Sequence, residues 1–186
     1  IVFCRTKRTA QKTSDDLAER GFRAATIHGD LGQSAREKAL NDFKAGKSDV
    51  LIATDVAARG IDIDGITHVI NYQCPEDEKT YVHRIGRTAR AGAHGIAVTF
   101  VDWDELARWK MIDTALVLGL PEPLETYSSS EHLYEMLNIP AGSTGRIVKA
   151  KPAAAVAPKA AKPAAAKQES APRVKRERTR TKRISS

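Results

Sequence analysis

Aromatic residues are scarce in this chain of 186 residues, with two Trp, four Tyr and four Phe making up 5% of it. With so few, none forms an obvious ladder of stacked rings of the kind that binds successive bases of a strand. Cysteine is scarcer still. Cys4 and Cys74 lie far apart and neither belongs to a CxxC pair, so no zinc site or redox motif is suggested and both read as packed thiols. No apolar run approaches the roughly 20 residues that cross a bilayer as a helix, which gives the expectation of a soluble chain without a membrane partner. The chain does not open with Met. Ile1-Val2-Phe3-Cys4 reads at once as buried strand, and the expectation is a fragment with no leader or signal peptide ahead of the fold.

A phosphate cradle is also lacking. Asn41-Asp42-Phe43-Lys44-Ala45-Gly46-Lys47-Ser48 ends like a P-loop but begins with Asn where the first Gly belongs. It also sits between a helix end and a strand, the reverse of the strand-to-helix placement that converges amides on phosphate. No acidic strand-end box of the Asp-Glu-Ala-Asp kind is present to hold Mg²⁺.

Positive charge is unevenly spread. Residues 1–148 hold 18 Lys and Arg against 21 Asp and Glu, net −3, whereas residues 149–186 hold 12 against 2, net +10, and together these give the chain's +7. Any nucleic-acid contact in the first part must therefore use locally placed groups, while the tail carries the diffuse attraction for polyanions.

What is present is alternation. Short β-branched runs at residues 1–4, 24–27, 50–53, 67–72 and 95–101 are separated by segments of helical period at about 10–20, 33–45, 80–85 and 103–118. This pattern predicts parallel strands joined by crossover helices, a three-layer α/β sandwich. Gly21 and Gly46 are expected to stop the first two helices, and Gly119 and Pro121 the last. Tyr72 and Tyr81 read as core residues. We expect a domain over 1–121, an extension over 122–150 with one short helix near 131–137, and a disordered tail over 151–186. The tail is rich in Ala, Pro and Lys and then in Arg, with few large apolar residues to offset chain entropy.

The strongest local signal is Tyr81-Val82-His83-Arg84-Ile85-Gly86-Arg87-Thr88-Ala89-Arg90-Ala91-Gly92. It brings three arginines together at intervals of three residues. Guanidiniums so spaced repel one another unless an anion or carboxylates lie between them, which points to a polyphosphate or an acidic surface.

Within it, His83-Arg84-Ile85-Gly86-Arg87-Thr88-Ala89-Arg90 closely resembles motif VI of the DEAD-box RNA helicases. Three further segments agree in order and spacing. Ile1 to Lys7 is similar to motif IV, His28-Gly29-Asp30-Leu31-Gly32-Gln33-Ser34-Ala35-Arg36-Glu37 to the segment containing the family's QxxR, and Ala53-Thr54-Asp55-Val56-Ala57-Ala58-Arg59-Gly60-Ile61-Asp62 to motif V. Ala89 departs from the family, which usually has Gly there.

The resemblance implies the second, RecA-like half of an RNA-dependent ATPase that unwinds or remodels RNA, with a mainly parallel sheet. It implies ATP with Mg²⁺, bound mainly by a missing N-terminal RecA-like domain, and a fragment that does not hydrolyse ATP alone. Arg87 and Arg90 match arginine fingers that neutralise charge on the γ-phosphoryl group. Gly60 and Asp62 match nucleotide-binding positions, Asp62 accepting from the ribose. Arg59, His83 and Arg84 match interdomain positions. Thr6, Gly29, Gln33, Arg36 and Thr54 match positions that meet the RNA sugar-phosphate backbone, without reading bases. His28 and His83 have no companion at metal-ligand spacing and read as positioning or packing residues. A cytoplasmic setting is expected, with RNA as the partner and the tail as a place for RNA or protein contacts.

Two rivals are a superfamily 2 DNA helicase half and, for this chain alone, a non-catalytic nucleic-acid-binding module. Comparing stimulation of the full enzyme's ATPase by RNA and DNA of equal length separates the first. For the tail, deleting residues 151–186 is expected to weaken RNA binding and flatten its salt dependence while leaving the thermal transition in place. Binding isotherms at several salt concentrations check this, and an unchanged salt slope excludes it.

Overall fold

The computed structural model describes residues 1–58, 63, 65–89 and 94–147. Five strands, β1 (Val2–Phe3), β2 (Ala24–Ile27), β3 (Val50–Ala53), β4 (His68–Asn71) and β5 (Ile96–Thr99), form one sheet in the order β2-β3-β1-β4-β5. Every pairing is parallel, with Val2 opposite both Ile52 and Ile70. The parallel sheet expected from the alternating pattern is therefore present, and β1, the first strand in the chain, lies at its centre.

The helices are α1 (Lys7–Glu19), α2 (Gln33–Lys44), α3 (Asp55–Ala58), α4 (Glu78–Ile85), α5 (Leu106–Leu116) and α6 (Glu131–Met136). Successive residues of a strand face opposite sides, and the core divides accordingly. Phe3, Ile27, Leu51 and Val69 pack with Ala39, Leu40 and Phe43 of α2, whereas Val2, Cys4 and Ile52 pack with Ala10 and Leu17 of α1. The strands are buried on both faces at the sheet centre because helices cover both. A third cluster joins Cys74 to Trp109 and Ile112 of α5 with Tyr81 of α4, whose ring meets Trp109 edge-on at 5.8 Å. Both cysteines are fully buried, and burial pushes both thiols up from their ordinary pKa. They are packed, unreactive thiols.

The helix ends differ from expectation where side chains act as caps. α1 begins three residues early because the Thr6 hydroxyl accepts from the Thr9 amide at 3.1 Å. It closes as expected at Gly21, whose φ of 90° lets the Gly21 and Phe22 amides donate to Ala18 and Leu17. The segment expected as one helix over 103–118 divides. Asp102 and Glu105 form a capping box around a 3-10 turn, Trp103–Glu105, and α5 follows. That helix ends before Gly119, because Val117 takes the left-handed conformation (φ 53°, ψ 46°). The chain then turns back, the Leu120 amide donating to Asp113 Oδ1 at 2.7 Å and the Trp109 indole to the Leu120 carbonyl at 2.7 Å.

Tyr72 is a correction: it stands 44% exposed beside Phe100, one residue past β4, its amide still donating to the Phe3 carbonyl at 3.0 Å. In the extension, the Ile147 amide donates to the Arg20 carbonyl at 2.9 Å, meeting the chain just after α1. The disorder expected for 151–186 lies outside the described residues.

A left-handed β-branched residue is strained, and Val117 is almost fully exposed, so little packing opposes its replacement. Val117→Gly is expected to raise stability by about 1 kcal/mol, read as a shift in denaturant midpoint at unchanged slope. A fall in midpoint excludes strain at this position.

Candidate functional site

All five parallel strands end on one edge of the sheet, and the residues that follow them form a row. This is where ligands bind in open α/β sheets, because helix N-termini and loop amides converge there. From β1 come Arg5 and Thr6, from β2 His28 and Gly29, from β3 Thr54 and Asp55, and from β4 Tyr72 and Gln73.

All five residues expected to meet a nucleic-acid backbone lie around the first three strand ends and the starts of α1 and α2. Thr6 caps α1 and is exposed. Gly29 follows β2, with open space where a Cβ would project, and Gln33 opens α2, exposed and bonded to Glu37 at 2.8 Å. Arg36 is half-buried and donates to the Ala57 carbonyl at 3.2 Å, which sets its guanidinium against α3. Thr54 is different. It is buried, its amide donating to Ile27 and its carbonyl accepting from Ala57 and Ala58, so it shapes the β3–α3 corner from within.

Lys7 and Asp30 bridge the first two loops at 2.8 Å, and the Lys7 hydrogen bond holds the Asp30 carboxyl below its usual pKa. His28 is buried, its Nδ1 accepting from the Asp30 amide at 3.3 Å, a packing and positioning role.

The arginine segment occupies α4 and the turn after it. Arg84, expected at an interdomain position, has a side chain 1% exposed that lies inside this domain. Nε and Nη2 donate to the two carboxylate oxygens of Asp55, each at 2.7 Å, and Nη1 donates to Asn71 Oδ1 at 3.2 Å and the Gln73 carbonyl at 3.1 Å. The guanidinium also sits 5.3 Å from the centre of the Phe3 ring. A planar fork satisfied bidentately on one side and by two oxygens on the other tolerates burial that a bare cation does not.

Asp55 and Asn71 are the partners of Arg84 that reading the sequence did not single out. Asp55 opens a short helix that the hydrophobic pattern does not announce. Asn71 does leave a signal: a polar residue ending the apolar run Val69-Ile70, buried completely and bonded to Thr99 at 2.9 Å.

Arg87 lies one turn beyond Arg84, half-buried, at the rim of a cavity of about 80 Å³ that Asp55, Thr80 and the exposed His83 also line. Thr88 pins the following turn through its hydroxyl on the Ile66 carbonyl at 2.5 Å. Gly95 packs against Thr88 where any Cβ would collide. Ala89 then takes φ 55°, the left-handed region that glycine occupies without strain. Arg59, Gly60, Asp62 and Arg90 lie outside the described residues.

The family described as "Helicase conserved C-terminal domain" matches residues 1–92. Among solved structures, the E. coli DEAD-box protein SrmB, bound to regulator of ribonuclease activity A, is 34% identical, with a TM-score of 0.60 over 69% of this chain and 80% of that one. The C-terminal domain of the DEAD-box protein Dbp5 is 39% identical, with a TM-score of 0.57 over 62% of this chain and 68% of that one. This chain belongs to the DEAD-box family. It is a DEAD-box C-terminal, RecA-like domain. The ATP-dependent RNA helicase CshA of Listeria monocytogenes is 55% identical over 113 residues, 61% of this chain and 22% of that protein. The chain thus spans about a fifth of the length of the curated relative it matches there.

In this DEAD-box domain the Arg84–Asp55 pair is expected to be energetically coupled. Asp55→Asn leaves a buried guanidinium uncompensated and is expected to cost about 3 kcal/mol. Adding Arg84→Met to it is expected to cost less than the two single changes summed, by about 1–3 kcal/mol. Denaturant unfolding of the four proteins measures this, and simple additivity rules the coupling out.

Proposed function

We propose that this domain is the second half of an ATP-dependent RNA helicase, supplying transition-state arginines from one part of its strand edge and an RNA-backbone surface from another. The observation that carries the reading is the placement of Arg87. It stands at the end of a helix whose own arginine, Arg84, is consumed internally by Asp55. Thr6 and Gly29 lie beyond the ends of β1 and β2, with Gln33 and Arg36 in the first turn of α2. These are hydroxyl, amide and guanidinium groups, suited to phosphate and ribose and not to base edges. The RNA is therefore bound without regard to sequence.

ATP with Mg²⁺ supplies the phosphoryl transfer, its cradle and metal-holding carboxylate belonging to a first RecA-like domain. From this side Gly60 and Asp62 hold the nucleoside, and Arg87 and Arg90 meet the γ-phosphoryl oxygens when the two domains close over bound RNA. The half-buried Arg87, on a turn whose backbone is pinned by Thr88, fits that task because the turn is fixed before phosphate arrives. The 186-residue chain by itself does not turn over ATP. RNA is favoured over DNA as the stimulating strand by the form of the His83–Arg90 and His28–Glu37 segments.

In the two-domain enzyme, Arg87→Ala or Arg90→Ala is expected to lower kcat about 10³-fold or more and to leave RNA affinity without nucleotide nearly unchanged. The lost contact belongs to the transition state. Arg36→Ala is the contrast, raising the RNA concentration for half-maximal ATPase rate. Steady-state ATPase assays and RNA-binding isotherms separate the two classes. Equal losses of RNA binding for all three, with kcat kept at saturating RNA, make the arginines part of a basic RNA surface and overturn the proposal.

A further inference from the structure

The same strand edge continues past β4 and β5 into a groove that the proposed reaction does not use. It is open, of about 810 Å³, and lies between the residues after β5 and the extended segment 121–127. Tyr72, Phe100, Trp103 and Tyr127 line it, each between 44% and 74% exposed, with Leu124 beside them. Four of the chain's ten aromatic residues are therefore gathered, uncovered, in one place. An apolar gathering of that kind marks an interaction surface more than incidental exposure.

Charge decides what fits. Asp102, Asp104, Glu122 and Glu125 stand exposed around the rings. Glu105 is buried beneath them and bound to Arg5, which leaves Lys110 as the other cation of the lining. A phosphate backbone is repelled by such a rim. A guanidinium is favoured twice over, since it lies flat on an aromatic face and pairs bidentately with a carboxylate. The wall is also held in place. Tyr72 and Phe100 meet edge-to-face at 6.3 Å, the Trp103 amide donates to Asp102 at 2.8 Å, and the Tyr127 hydroxyl bonds to Glu125.

We propose that this groove docks an arginine-rich segment of a partner protein. Arginine side chains stack on Trp103 and its neighbouring rings and pair with Glu122 and Glu125. The surface lies at the opposite end of the strand edge from Gly29, Gln33 and Arg36; Arg5 of its lining adjoins Thr6, and the docking itself uses none of the RNA contacts proposed above.

The test uses the full 186-residue chain and a fluorescein-labelled peptide of Arg-Gly-Gly repeats, followed by anisotropy, with tryptophan emission reporting on Trp103 against the buried Trp109. Trp103→Ala, and Glu122→Gln with Glu125→Gln, are each expected to weaken binding about tenfold or more. Trp103→Phe retains most of the affinity, and a Lys-Gly-Gly peptide of equal length binds less tightly. Because these side chains are exposed, circular dichroism and the unfolding midpoint stay unchanged, which separates lost docking from lost folding. Equal affinity of the peptide for the wild-type chain and for both sets of variants overturns the proposal, as does absence of binding to the wild-type chain. If oligouridylate displaces the peptide and Trp103→Ala weakens both ligands alike, the groove is a nucleic-acid surface and the proposal fails.

Discussion

One buried guanidinium holds the domain's working parts in register. Arg84 leaves α4, crosses the face of Phe3 in β1, grips both oxygens of Asp55 at the start of α3, and ends on Asn71 and Gln73 at the end of β4. A cation without partners in that position would cost several kcal/mol through lost hydration. With its donors shared among fixed acceptors, it becomes a fixed joint. Asn71 passes the connection to β5 through Thr99, and Gln73 passes it to β1 by accepting from the Arg5 amide. The segments after β1, β3 and β4 therefore share one joint.

Electrostatics is divided along that edge. The part of the chain before the tail carries a slight negative excess, yet its exposed charges are sorted. Hydroxyls, amides and Arg36 collect beyond β1 to β3, His83 and Arg87 stand together on α4 and the turn after it, and carboxylates collect beyond β5. Net charge alone conceals the arrangement, because fields at a surface are set by local neighbours within about a Debye length.

The sequence made the architecture legible for a physical reason. Parallel strands covered on both faces must be nearly continuous apolar runs, and Ala24–Ile27 and Val50–Ala53 match the observed strands residue for residue. Three of the four motif-like segments follow or contain a strand end, and the fourth lies on α4 and the turn after it. Less visible was anything decided by a side chain reaching across the fold. Asp55 receiving Arg84 depends on a partner 29 residues away and Val117 closing α5 on a backbone angle, whereas the Thr6 cap of α1 is a local signal that helical period alone passes over. Tyr72 was misplaced because an aromatic at a strand end looks the same in sequence whether or not a helix covers it. The aromatic groove escaped notice for a related cause: its rings come from residues 72, 100, 103 and 127, which only the fold brings together.

The central place of β1 has a consequence for how the domain is made. Val2 and Phe3 pair with residues 52 and 53 on one side and 70 and 71 on the other. Among the described strands β1 has no partner nearer in sequence, so as the chain lengthens during synthesis this apolar strand waits until β3 has emerged. Contacts of such long sequence separation make folding slow, and an unpaired apolar strand is prone to join the wrong partner meanwhile. The central strand thus completes its pairing only after both β3 and β4 have been made.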